Sequence, residues 1–149
     1  MMVDYRIRQM ATDDISKVVK IQETILQKKV SRAWKKALEL YIEKDPDTCL
    51  VAEKNNRLIG FIIGEIKTWG FGLRQSGWIE ILGIHPRHMG TGVGKALGRR
   101  LLSYFKKQKV DGIYTAVRWD SGDLLSFFKS IGFDNSGFLN LEYKSKNRK

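Results

Sequence analysis

The chain has 149 residues, 42% of them hydrophobic and 29% charged, with a formal net charge of +11. That is about one domain, long enough to bury a core, at a composition ordinary for soluble globular proteins. A single cysteine excludes an internal disulfide, it leaves no convincing metal-ligand set with His85 and His88, and no apolar stretch is long enough to span a bilayer.

The N-terminus lacks the apolar core of a signal peptide, so the expected residence is cytoplasmic. Cys49 is expected to be a buried, inert thiol. The positive field attracts polyanions, whether nucleic acid, acidic surfaces or a polyphosphate ligand. Several of its charges (Lys144, Lys146, Arg148, Lys149) fall in what reads as a frayed basic tail over 144–149. No zinc finger, RNA-recognition aromatic signature or helix-turn-helix accompanies them, which disfavours nucleic acid.

In chain order, Val3 to Arg8 alternates and predicts a first strand. Thr12-Asp13-Asp14 predicts an N-cap and acidic first turn, followed by Ile15, Val18, Val19, Ile25 and Leu26 at helical spacing. A second helix starts at Ser31, turns Trp34, Ala37, Leu38 and Tyr41 inward, and stops before Pro46. Thr48 to Glu53 and Leu58 to Lys67 read as strands joined by a hairpin at Asn55-Asn56. The loop from Thr68 to Gly77 carries Trp69 and Phe71, and Trp78 to Ile84 is the next strand. After a glycine turn comes a helix with Val93, Leu97, Leu101 and Phe105 inward, then a short strand from Ile113 to Val117. Leu124 to Ile131 reads as a helix stopped by Gly132, and Phe138 to Tyr143 as a closing strand. The order indicates one α/β (mixed α+β) domain over 1–149, a central mixed sheet of about six to seven strands flanked by about four helices.

The most informative segment is Gly90-Thr91-Gly92-Val93-Gly94-Lys95, one turn beyond the Trp78–Ile84 strand and directly before a helix. Glycines there let the backbone approach a ligand, and a new helix offers unpaired N–H groups and a positive dipole end. The combination suits phosphate. A P-loop alignment on Gly94-Lys95 puts Met89 at the first glycine and Ala96 at the Mg²⁺-binding hydroxyl, so it fails. A Rossmann fingerprint started at Gly90 meets Lys95, and started at Gly92 meets Leu97. The phosphate therefore belongs to some other nucleotide-bearing ligand.

These residues resemble the GNAT N-acetyltransferase superfamily over nearly the whole chain. The family's central pattern is aliphatic-x-Pro, then Gln/Arg-x-x-Gly-x-Gly/Ala; here it reads Ile84-His85-Pro86, then Met89-Gly90-Thr91-Gly92-Val93-Gly94. Its later pattern runs from Asn through a Phe/Leu-Tyr pair to Gly-Phe; here Ser121, Phe127-Phe128 and Gly132-Phe133. The resemblance implies acetyl-CoA as cosubstrate, with the backbone from Met89 to Lys95 holding the pyrophosphate and Lys95 and Arg99 offsetting further charge. It also implies that the preceding strand splays from its neighbour, so that pantetheine pairs with Leu82 and Ile84. The Ile84 N–H would face the thioester oxygen, and Gly83 would ease the distortion.

Transfer to an amine needs a proton acceptor, a donor to the developing oxyanion, and stabilisation of the departing thiolate. Glu80 is the candidate base, the only charge in Trp-Ile-Glu-Ile-Leu-Gly-Ile, and by alternation it shares a face with Leu82 and Ile84. A Glu at that place can equally be an arginine's partner or an exposed strand start. His85, next to Pro86, reads as a surface imidazole. Three departures from the family stand out: Met89 for Gln/Arg, Ser121 for Asn, and Phe128 for the tyrosine that often protonates the thiolate. That leaves water, Tyr114 or Tyr143 as the acid. Trp69, Phe71 and the region near Trp34 border the expected acceptor pocket, or else cover the sheet edge. The leading reading is acetyl transfer to a primary amine in a small molecule, peptide N-terminus or lysine, without metal or membrane. A catalytically weak CoA-binding regulatory module and a basic nucleic-acid-binding protein are the alternatives. Homodimerisation, common in look-alike proteins, stays open.

Overall fold

The computed structural model describes residues 4–68 and 74–145. Val3, Trp69, Phe71 and residues 146–149, all of which carried expectations, lie outside the described residues.

The chain runs β1 (Arg6–Gln9), α1 (Ile15–Leu26), α2 (Arg32–Lys44), β2 (Cys49–Lys54), β3 (Arg57–Thr68), β4 (Gln75–Ile84), α3 (Val93–Lys107), β5 (Gly112–Thr115) and α4 (Gly122–Ser130). The sheet order is β1-β2-β3-β4-β5, antiparallel through β4 and parallel between β4 and β5. Local chemistry accounts for several joints. Ser31 caps α2 by accepting from the Trp34 N–H at 3.2 Å. Asn55 and Asn56 sit at φ of 52° and 64°, the left-handed pair that a two-residue hairpin requires.

Alternation along β2 and β3 divides the interior into two layers. Val51, Phe61 and Ile63 face α1 and α2, packing with Val18, Val19 and Leu38. Leu50, Ala52, Ile62 and Ile79 face α3 and α4, where Val93, Leu97, Leu101, Phe105 and Phe128 meet them. The four inward α3 residues are those the sequence spacing predicts. Each large side chain fully buried in these layers contributes roughly 1.5–3 kcal/mol before chain entropy is subtracted.

Two expectations need correction. Phe138 to Tyr143 forms no strand, so the described residues hold five strands rather than six or seven. Leu139, Leu141 and Tyr143 are 82%, 83% and 90% exposed. Alternating apolar residues express a propensity, which becomes a strand only where an edge takes up the amides and a face takes up the side chains. Asp14 does not cap α1 with its side chain. It is buried and accepts instead from the Arg8 guanidinium at 2.7 and 3.0 Å and from the Ala11 N–H at 2.8 Å.

Candidate active site

The site begins where β4 parts from β5. The two strands pair only from Ser76↔Gly112 to Ile79↔Thr115. From Glu80 to Ile84, β4 keeps β3 on one side and, among the described residues, has no strand on the other. The His85 N–H donates to the Ile59 carbonyl at 2.9 Å, toward β3. Strand amides alternate in direction, so the N–H and C=O of Ile84 and Leu82 point into the open notch. The splayed edge that the resemblance implied is thus present at these two residues.

Directly beyond the notch, a Pro86–His88 turn leads into the glycine segment. Gly90 and Gly92 sit at φ of 77° and 91°, and a Cβ on either would meet nothing within 4 Å. Their backbone therefore faces open space in a conformation that favours glycine. The first helical bond of α3 runs from the Ala96 N–H to the Gly92 carbonyl at 3.0 Å, and no side chain caps the helix. The amides of Val93, Gly94 and Lys95 precede that bond and have no intrahelical acceptor. Met89 is 64% exposed and in extended backbone, so its side chain takes no part in the core. The Thr91 hydroxyl donates to the His88 carbonyl and braces the turn. Val93 is a core residue, whereas Arg87, Lys95 and Arg99 are exposed cations along this border.

Glu80 occupies a β-bulge. Ile63 pairs with Ile81 and Gly64 with Ile79, which leaves Glu80 without a partner in β3. The bulge corrects the expected face. Leu82, Ile84 and Ile79 belong to the α3 layer, while the Glu80 carboxylate reaches Tyr41 of α2 on the opposite layer. Simple alternation fails because one extra residue shifts the phase of the strand. The Glu80 side chain is 23% exposed; one oxygen accepts from the Tyr41 hydroxyl at 3.2 Å and the other lies 3.5 Å from Lys67 Nζ. That ammonium also stands 4.7 Å from the centre of the Trp78 ring. Burial, then the nearby Glu80 charge, pushes the Tyr41 phenol up to about 12, which keeps it a donor. Tyr41 and the bulge carried no motif, so sequence reasoning missed both; the inward spacing of Tyr41 on α2 was the available signal.

Other expected residues have other surroundings. Gly83 is in regular register with Phe61, and a Cβ there would lie 2.5 Å from the Phe61 ring, so packing explains this glycine. The local distortion lies at Glu80 instead. Phe128 is buried against Phe127 and Phe133, at centroid distances of 5.1 and 5.3 Å. Phe127 is the member of the pair beside the notch, where a Cβ on Gly94 would meet its ring at 3.2 Å and Ile84 at 3.7 Å. Neither ring carries a hydroxyl. Ser121 precedes α4 without a side-chain capping bond. Trp34 packs edge-on against Phe61 at 6.4 Å, within the α1–α2 layer. The His85 Nδ1 accepts from the Arg87 N–H at 3.1 Å and shapes the turn. Tyr114 stacks on Trp78 at 5.3 Å. A separate cavity of about 220 Å³, lined by Tyr41, Lys44, Asp45, Glu65 and Tyr104 among others, shares Tyr41 with the Glu80 cluster but does not include Glu80.

The model of the acetyltransferase (GNAT) family matches residues 15–133, spanning both the notch and the bulge. The chain belongs to the GNAT family. Membership makes it an acyl-transferring enzyme. This GNAT chain is 28% identical over 104 residues to an acetyltransferase of Pectobacterium atrosepticum, covering 70% of each protein. It is 26% identical over 103 residues to the mycothiol acetyltransferase of Acidothermus cellulolyticus, covering 62% of this chain and 32% of that one, so it spans about a third of that relative's length. The crystal structure of Ard1 from Thermoplasma volcanium superposes with a TM-score of 0.76 at 25% identity, over 90% of this chain and 85% of that one. Among the described residues no helix is long and apolar enough to cross a membrane, and no group of three or more His, Cys, Asp or Glu could hold a metal ion.

Proposed function

We propose that this GNAT enzyme moves an acetyl group from acetyl-CoA to a primary amine, by direct attack while both are bound. The observation that carries the reading is the continuity of three features: the amide cradle at Gly90–Lys95, the open β4 edge, and Glu80 at the far end of that edge. The cradle fits a pyrophosphate because its backbone faces open space and its helix end is uncapped. The edge fits an amide-bearing arm because Ile84 and Leu82 offer both a donor and an acceptor toward it. Acetyl-CoA, when bound, supplies an acyl carbon activated by a thiolate leaving group.

The chain's own residues then divide the work. Backbone amides from Gly90 to Lys95 hold the phosphates, with Arg87, Lys95 and Arg99 offsetting charge. Leu82 and Ile84 align the arm along the edge, and Phe127 walls the notch. Glu80 takes the proton from the attacking ammonium, and Tyr41 holds the carboxylate in place. General-base assistance of this kind is worth about 10²–10⁴-fold in rate. With phenylalanine at both 127 and 128, the departing thiolate takes its proton from water.

Phenylalanine at both 127 and 128 also motivates a second reading, a CoA-binding module that turns over little. An amine panel decides between them: peptide N-termini, lysine esters, diamines and aminoglycosides, each with acetyl-CoA, read by thiol release and product mass. An acetylated amine with matching thiol release supports transfer. Binding of CoA without any acetylated amine supports the module.

A further inference from the structure

We infer that Lys67 is itself an acetyl acceptor, modified in cis by the site it borders. The inference rests on the reading above, in which Glu80 is the base. Lys67 Nζ lies 3.5 Å from Glu80 Oε1 and 4.7 Å from the centre of the Trp78 ring. A carboxylate and an aromatic face are the two contacts that recognise an incoming ammonium. Lys67 makes both: its backbone lies opposite Ser76, within the β4–β5 pairing, and its side chain carries the ammonium to Glu80, the first residue of the open edge. An amine of the chain thus stands where the external amine must stand.

Lys67 is also able to move. Its side chain is 38% exposed on a stem of four methylenes, so the nitrogen can shift by a few ångströms without disturbing the sheet. Lys44 pairs with Glu65 and Lys54 with Asp4, so neither ammonium is held by the Glu80 carboxylate.

The reaction balances as ordinary acyl transfer. The Lys67 ammonium gives one proton to Glu80, its free lone pair forms the C–N bond to the acetyl carbon, and the bonded nitrogen then releases a second proton to water. The C–S bond breaks, the sulfur leaves as coenzyme A thiolate and takes a proton from water, and Glu80 returns its proton to solvent. The products are an Nε-acetyl-lysine at position 67 and free coenzyme A. The change removes the Lys67 charge, which dissolves the ion pair with Glu80.

The test incubates the full chain with acetyl-CoA and no amine, and maps acetylated lysines by peptide mass spectrometry over time at two protein concentrations. Lys67 is expected to react about tenfold or more faster than exposed Lys107 at the far end of α3, a modest share of what a positioned base supplies. The rate should be independent of protein concentration, and Glu80→Gln should bring Lys67 down to the Lys107 rate. A second measurement needs no acetyl-CoA: under dilute acetic anhydride, Lys67 should label more slowly than Lys95, and the gap should close in Glu80→Gln. Acetylation of a panel amine while Lys67 stays unmodified overturns this inference and leaves the proposed function standing. If neither the panel amines nor Lys67 react, both fall. Equal labelling of Lys67 and Lys95 by anhydride in the wild type also overturns the inference.

Discussion

The hydroxyl of Tyr41 donates to the carboxylate of Glu80 over 3.2 Å, tying α2 to the bulge of β4. Because Glu80 has no partner residue in β3, its orientation depends on this bond and on Lys67. Glu80→Gln is therefore expected to lower kcat by about 10²-fold while the dissociation constant for CoA stays unchanged. The defect should be largest at low pH and shrink as the acceptor amine deprotonates unaided. Tyr41→Phe keeps the base but loosens it, and should lower kcat several-fold at a stability cost of about 1 kcal/mol. Steady-state kinetics from pH 6 to 9 with parallel calorimetry would check both; wild-type turnover in both variants would remove the pair from the mechanism.

Gly92 tests the cradle. At φ of 91° any L side chain is strained, yet a Cβ would touch nothing within 4 Å of the protein itself. Gly92→Val should cost roughly 1–2 kcal/mol of stability through the backbone. Its larger effect should be a loss of CoA affinity of about tenfold or more, since the branched side chain occupies the space the phosphates need. Thermal melts with and without CoA separate the two effects.

A stability prediction concerns Asp14, whose side chain is 7% exposed beside an Arg8 that is 30% exposed. The Arg8 hydrogen bond, against the cost of burial, holds the Asp14 carboxyl below its usual range. A carboxylate depressed in the folded state stabilises the fold above its unfolded value, about 3.9, and that contribution is lost as pH falls through the folded value. Asp14→Asn should accordingly destabilise the protein by roughly 1.5–3 kcal/mol at pH 7, because the Arg8 guanidinium keeps Glu53 but loses its closer, buried carboxylate partner. The gap from wild type should narrow once pH drops below about 4. Urea titrations at pH 7 and pH 3 would show it; an unchanged gap would contradict the assignment.

Cys49 is fully buried, and burial pushes its thiol up to about 11. The native protein should resist iodoacetamide at pH 8 and react once unfolded, since the thiolate is the nucleophile. Fast native labelling would show that β2 opens readily.

Much of the frame was legible because its signals are local. The hairpin at Asn55-Asn56, the Ser31 cap and the four inward residues of α3 each follow from a few neighbouring side chains. The glycine segment was legible for the same reason, its backbone needs being written in residue type. What escaped depends on pairing across the sheet. The bulge at Glu80 arises from the register of β3 against β4, so alternation assigned the carboxylate to the wrong layer. The choice between Phe127 and Phe128 depends on how α4 rotates against α3, which two adjacent phenylalanines do not encode. The closing strand over Phe138–Tyr143 failed because alternation does not encode whether amides pair: Phe138 reaches the Tyr114 ring of the edge strand β5 at 6.1 Å, yet no ladder forms there.

The central claim is that the amides of Gly90–Lys95 and the open edge of β4 together hold coenzyme A. Titration calorimetry of CoA into the wild type and into Gly92→Val tests it most directly. The account predicts saturable one-to-one binding in the wild type, weakened about tenfold or more in the variant. No heat with the wild type, or equal affinity in both proteins, would contradict it.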